Sequence, residues 1–265
     1  MPAAPLDGRV AVITGAGSGI GHAIAVELAR RGSTVWCADL DVDGARRTAE
    51  AIGAAATSEH VDVTQRESVT RLCETVFARD HRVDVIVSNA GVSTMNRFLD
   101  ITDDEWNFNL AVNATGAFLV VQTFARQMVN QPVIGSSTVR GKIIVTASMA
   151  SRVAAPLLVH YSASKFAAVG LVQGAAKELG PHRITVNGVN PGFVRTSMQE
   201  REVAWEAELR GMSPAQVREE YVANTPLRRL QEPEDVAKVV AFLASDDADF
   251  LTGEVIEANG GAATI

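Results

Sequence analysis

Thr14-Gly15-Ala16-Gly17-Ser18-Gly19-Ile20-Gly21 follows a short β-branched run, residues 9–13, and leads directly into a segment of helical periodicity, residues 20–31. Glycines at a strand-to-helix junction let the backbone turn tightly and approach a pyrophosphate, whose charge then sits against the free N–H groups and positive dipole end of the helix. Glycine collects in many turns, so the string gains meaning from its surroundings: a strand before, a helix after and an acid further on. That acid is Asp39, eighteen positions beyond Gly21, at the end of a second β-branched run, residues 34–38. A carboxylate there can accept hydrogen bonds from the adenosine ribose hydroxyls and repels a 2′-phosphate. Ser18 and Leu40 offer no cation to hold such a phosphate, so the pattern selects NAD over NADP. Asp39 also has a local alternative as cap of the helix beginning near Val42, a role that Asp41 can fill instead.

Outward from this turn the alternation continues. Strand-like runs recur at residues 83–87, 142–146 and 184–189, with weaker ones at 55–61 and 254–258. Helical periodicity spans residues 42–52, 65–79, 114–129, 161–179 and 234–245. Runs apolar at every position, separated by helices, predict an α/β fold: one Rossmann-type, doubly wound parallel sheet of about seven strands, as a single domain over residues 1–265. Two segments break the rhythm. Residues 130–140 read as a surface loop, and the charged residues 198–230 read as two short helices inserted late in the fold, forming a lid where an open α/β sheet binds ligand.

Composition excludes other classes. With 24 Lys+Arg against 31 Asp+Glu among 265 residues, the net charge is −7, without the basic cluster that nucleic-acid binding needs. No apolar run approaches the length of a membrane span, and residues 1–7 lack the basic start and apolar stretch of a signal peptide. Two distant cysteines, Cys37 and Cys73, suit buried reduced thiols rather than a disulfide framework or metal knuckle. A cytoplasmic protein with no metal site is expected.

His160-Tyr161-Ser162-Ala163-Ser164-Lys165 opens the long fifth helix, and its Tyr and Lys, four apart, share one face. A phenol ordinarily titrates near 10, and an adjacent ammonium favours phenolate, which could take the proton of a substrate hydroxyl as hydride leaves its carbon. Ser148 ends the strand at residues 142–146, where strand ends face the ligand crevice, and its hydroxyl could hold the substrate oxygen. Asn113, at the start of an apolar helix, reads in isolation as an N-cap.

With these residues in order, the chain closely resembles the short-chain dehydrogenase/reductase family. The resemblance spans residues 10–261 and rests on residues 14–21, Asp62-Val63, Asn89-Ala90-Gly91, Asn113, Ser148, Tyr161 to Lys165, and Asn190-Pro191-Gly192 followed by Thr196. It implies a catalytic tetrad of Asn113, Ser148, Tyr161 and Lys165. Lys165 would also hold the nicotinamide ribose, and Asn113 would support a proton-relaying water. It further implies cofactor contacts from Gly15, Gly17, Ser18, Gly19 and Ile20, from Asp39 and Leu40, from Asp62 and Val63 at adenine, and from Asn89, Ala90 and Gly91 near the adenosine ribose. Pro191, Gly192, Val194 and Thr196 would lie at the nicotinamide end. Ser88 and Ala147 stand where the family usually has Asn and Ser, at positions without chemistry. Family members are commonly tetramers, and small-residue helix faces around Ala163, Ala167, Gly170 and Gly174 suit a homotetramer.

Pocket walls are expected from the loop after Ser148 and from the insertion: Ser93, Met149, Ser151, Pro156, Leu157, His160, Phe193, Met198, Gln199 and Trp205, with Ser148, Ser151, His160, Phe193 and Trp205 as substrate contacts. Mixed apolar and hydrogen-bonding walls, and a 198–230 segment resembling that of sugar-alcohol and diol dehydrogenases, favour a small polyhydroxylated alcohol or its ketone as substrate. The alternatives are an NADPH-dependent reductase of 3-oxoacyl or hydroxysteroid type, and a catalytically silent NAD-sensing protein.

Overall fold

Strands apolar at every position need burial on both faces, and the computed structural model, which describes residues 6–133 and 137–264, gives them a central place. Seven strands, β1 (Val10–Thr14), β2 (Thr34–Asp39), β3 (Ala56–His60), β4 (Val85–Ser88), β5 (Gly141–Thr146), β6 (Ile184–Pro191) and β7 (Val255–Ala258), form one parallel sheet in the order β3-β2-β1-β4-β5-β6-β7. β1, β4, β5 and β6 are buried throughout, whereas the edge strand β3, Ala-Thr-Ser-Glu-His, is half-exposed, which explains its faint signal in the sequence. β1 pairs with β2 on one side and β4 on the other, so the strand order reverses there and opens a crevice at the carboxyl ends.

Helices α1 (Gly19–Arg30), α2 (Val42–Ile52), α3 (Arg66–Asp80), α4 (Asp103–Leu110), α5 (Ala117–Met128) and α6 (Val159–Leu179) precede the insertion, α7 (Ser197–Arg210) and α8 (Pro214–Ala223), and the last helix, α9 (Pro233–Ala244). One apolar core, with Trp36, Leu72, Phe124 and Val172, lies under α3, α5 and α6; the other, with Ile13, Ile24, Leu28 and Val240, lies under α1 and α9. Cys37 and Cys73 are buried, and burial pushes both thiols up to about 12, consistent with core packing.

The sequence pattern missed α4. Its Thr102–Glu105 capping box is a clear start signal, but its large apolar residues Trp106 and Phe108 are exposed, Phe108 at the cavity, and only Asn109 is buried, so no apolar stripe marks it. A π turn, Ala111–Gly116, joins it to α5, making one continuous helix, Asp103–Met128. That helix is long and apolar enough to cross a bilayer; half of its most apolar stretch is buried within the protein. Of the predicted surface loop at 130–140, residues 134–136 lie outside the described residues, as do residues 1–5 and 265.

The insertion is two helices, as predicted. Thr196 caps α7, whose last turn ends at Gly211 with φ 67°, a left-handed conformation suited to glycine. Ser213 and Gln216 form a capping box for α8, with Pro214 in its first turn. The pair has its own small apolar cluster, Val203, Ala207, Val217, Tyr221 and Leu230, onto which Phe193 packs. Phe193 stacks on Tyr221 with ring centroids 4.0 Å apart.

Candidate active site

The glycine turn is crowded at its backbone. A Cβ on Gly15, whose φ is +69°, would come within 2.7 Å of Ala90 Cα, and one on Gly21 within 2.0 Å of the Gly15 carbonyl oxygen. No bulkier residue fits either position without moving the chain. Ser18 precedes α1 in extended conformation with no side-chain cap, so the first-turn N–H groups remain available to an anion in the crevice. Asp39 stands beside them: its Oδ2 accepts from Gly17 N at 2.7 Å and its Oδ1 from Asp41 N at 2.9 Å. The cap of α2 is Asp41, so the capping alternative for Asp39 falls away. Asn89 ties the turn to the sheet, donating to the Thr14 and Gly15 carbonyls at 3.1 and 3.3 Å and accepting from Thr146 Oγ1 at 3.1 Å.

These groups line one end of a cavity of about 1550 Å³, larger than a single small-ligand pocket of roughly 300–1,000 Å³. Its walls include Gly15, Ser18, Gly19, Ile20, Asp39, Leu40, Asp62, Val63, Asn89, Ala90 and Gly91, then Pro191, Gly192, Val194 and Thr196. Gly17 is set back from the wall, its amide turned to Asp39. Backbone N–H donors at a helix start, a carboxylate some distance beyond and a long continuous cleft between them fit a dinucleotide.

At the other end the cavity reaches Ser148, Tyr161 and Lys165. Lys165 Nζ donates to the Thr146 carbonyl at 3.0 Å and lies 5.7 Å from the centroid of the Tyr161 ring. Burial pulls the ammonium down to about 8, opposed by the charge of Glu202. The Tyr161 phenol moves the other way from the sequence expectation: burial and then Glu202 push it above its ordinary value, and the Ser148 hydroxyl opposes them.

Ser148 is fixed from behind. Its N–H donates to Asn190 Oδ1 at 3.1 Å, and Asn190 Nδ2 donates to Glu257 Oε1 at 2.7 Å, an oxygen that also accepts from Arg152 Nε at 2.8 Å. Ser151 belongs to this support rather than to the cavity wall: its hydroxyl donates to the Ser148 carbonyl at 2.6 Å, with Asn190 Oδ1 as the alternative acceptor at 3.0 Å. Asn113 is neither N-cap nor wall. It sits in the π turn, and its carboxamide accepts from Val92 N and donates to the Val92 carbonyl and Ser164 Oγ, all within 2.9–3.0 Å. Gly91 alone separates it from Lys165, since a Cβ there would lie 3.2 Å from Asn113 Oδ1 and 3.3 Å from Lys165 Nζ.

Two further substrate expectations are corrected. His160 is fully buried with Nε2 2.6 Å from Thr94 Oγ1, its imidazole pushed below its ordinary value by burial against the charge of Glu105, and it is absent from the cavity wall. Trp205 is half-buried on α7 and is not among the residues lining the cavity, which on this helix are Met198, Gln199, Arg201, Glu202, Glu206 and Arg210 along with Ser197. Phe193 does line the cavity. Sequence reasoning missed Glu202, Tyr221 and Asn224 on that wall; within a charged run such as Gln199-Glu200-Arg201-Glu202 nothing distinguishes the inward acid from a solvated one.

The family model for enoyl-(acyl carrier protein) reductase matches residues 15–263. The (3R)-3-hydroxyacyl-CoA dehydrogenase of Mus musculus is 38% identical over 97% of this chain and 96% of its own length. The 3-oxoacyl-[acyl-carrier-protein] reductase of Aquifex aeolicus is 34% identical over 97% of this chain and 98% of its own. Among solved structures, NAD+-bound xylitol dehydrogenase superposes with a TM-score of 0.91 at 32% identity, covering 97% of this chain and 99% of that one.

Proposed function

The chain belongs to the short-chain dehydrogenase/reductase family of oxidoreductases, and from that premise we propose that it is an NAD-dependent dehydrogenase of secondary alcohols, its substrate a sugar alcohol or vicinal diol. The observation that carries the cofactor choice is Asp39, a carboxylate lining the cavity beside the glycine turn, where it suits ribose hydroxyls and opposes a 2′-phosphate. Bound NAD+ would accept hydride from the alcohol carbon and bring a positive charge that favours phenolate at Tyr161. Tyr161 takes the hydroxyl proton as the C–H bond breaks, leaving a ketone. Ser148 Oγ holds the reacting oxygen; the Asn190–Glu257 support holds the Ser148 backbone, and the Ala150 N–H donates to the hydroxyl oxygen. Lys165, mostly cationic at neutral pH, holds the ribose nearest the reaction and disfavours a neutral phenol. Asn113 acts through position, bracing the Val92 turn beside Lys165.

The polyol substrate is favoured by the hydrogen-bonding far wall, with Gln199, Glu202, Tyr221 and Asn224. A 3-hydroxyacyl thioester is the second reading, favoured by the names of the sequence relatives and by the size of the cavity. We also propose a cytoplasmic homotetramer, supported by Phe118 on α5 and Phe166 on α6, exposed at 40% and 45%; light scattering should find four copies.

The test is NAD reduction followed over a panel of polyols, diols and 3-hydroxyacyl thioesters, with NADP in parallel. NAD should be preferred and the polyols oxidised. Tyr161→Phe should lose about 10²–10⁴-fold in rate while still binding NAD. Because the free-enzyme phenol titrates above its ordinary value, kcat/KM for oxidation should climb with pH through the alkaline range. Wild-type-like turnover by Tyr161→Phe would exclude the proton-transfer role.

A further inference from the structure

The α7–α8 insertion brings to the reacting end of the cavity an ionisable group that the chemistry above leaves unused. Glu202 lines the cavity from α7, and its Oε1 accepts from Ser93 Oγ at 2.5 Å. Ser93 follows the Asn89-Ala90-Gly91 turn, so this bond spans the cleft from the Lys165 side to the insertion. Tyr161 and Lys165 both feel its charge. Burial holds the carboxyl above its usual range, against Ser93 and Arg201.

Its neighbours on the same helix are occupied. Glu206 accepts from Tyr221 Oη and pairs with Arg210, both at 2.5 Å, and Glu200 pairs with Arg218. Glu202, among the described residues, has no ion-pair partner, and Ser93 is its hydrogen-bond partner. A carboxylate has about four lone-pair sites. A half-buried inward acid with acceptor sites left over, facing the reacting groups, can accept a donor supplied by the ligand.

We propose that Glu202 is the specificity-determining residue of this site, accepting a hydrogen bond from a second hydroxyl one or two carbons from the reacting one. The assignment rests on the dehydrogenase reading and deepens it. A neutral diol or polyol satisfies the carboxylate; a monoalcohol leaves it without a donor; a 2-hydroxy acid sets a second carboxylate against it. Discrimination by a polar group placed to meet a hydroxyl exceeds what an apolar wall can achieve.

The test compares kcat/KM for meso-2,3-butanediol, 2-butanol and 2-hydroxybutanoate with NAD, in wild type, Glu202→Gln, Glu202→Ala and the control Glu208→Gln, an exposed acid on the same helix. The diol-to-2-butanol ratio should fall about ten- to a hundred-fold in Glu202→Ala. It should fall less in the isosteric Glu202→Gln and stay at the wild-type value in the control, while the relative rate on 2-hydroxybutanoate rises in both Glu202 variants. A stabilising thermal shift by NAD checks that each variant is folded. A ratio that moves less than about threefold in both Glu202 variants overturns the assignment alone. A wild type that oxidises none of the three alcohols overturns the dehydrogenase-of-small-alcohols reading, and this proposal with it.

Discussion

The two ends of the cavity are built on different principles. At the glycine turn the recognition groups are backbone N–H donors packed so closely that a single methyl at Gly21 would sit 2.0 Å from a carbonyl oxygen. At the insertion they are side chains on two helices with a private apolar cluster, joined to the sheet through Phe193 and a few polar bonds such as Ser93–Glu202. The first end therefore tolerates almost no substitution, and the second can be rebuilt residue by residue. On the proposed reading, one would hold what all substrates share, the other what distinguishes them.

Substitutions at each end should behave accordingly. The largest effect is expected from Gly21→Ala, where a backbone atom must yield: NAD affinity by calorimetry should drop on the order of a hundred-fold or more. Wild-type affinity in that variant would mean that the turn is looser than its packing implies. Next comes Asp39→Ala, which removes both the ribose acceptor and the brace on Gly17. The NAD-to-NADP preference in kcat/KM should fall about ten- to a hundred-fold, with weaker binding of NAD itself. An unchanged preference would remove Asp39 from cofactor selection. The smallest is Tyr221→Leu in the insertion, which loses the stack on Phe193 and the bond to Glu206 and should destabilise by about 1–2 kcal/mol in denaturant titration. NAD affinity should stay within twofold, while KM for the alcohol rises. A comparable loss of NAD affinity would erase the distinction between the two ends.

The same contrast explains what could be read from the chain. Strands buried on both faces announce themselves, and each of the seven runs read as strands lies within a residue or two of an observed one. The glycine turn, Asp39, Tyr161 and Lys165 are legible because spacing along the chain fixes their mutual placement. Glu202 was not, because its inward direction is set by how α7 docks, over a hundred residues from Ser93 in sequence. His160 and Ser151 misled for the related reason that polar groups beside a site can serve as its buried supports. Asn113 read as an N-cap because a π turn carries no distinctive sequence signal.

The Ser148 backbone is bonded to Asn190, and Asn190 to Glu257 in the last strand, so the support behind Ser148 is complete only when the far edge of the sheet has paired. The pairing of β1 with β2 and β4 draws on residues 10–88 alone. During synthesis, where amino-terminal parts fold first, β1, β2 and β4 can pair while α9, which packs on α1, and β7 are still to come. The proposed cofactor end, through α9, and the proposed reacting end, through Glu257, thus both wait for the last part of the chain.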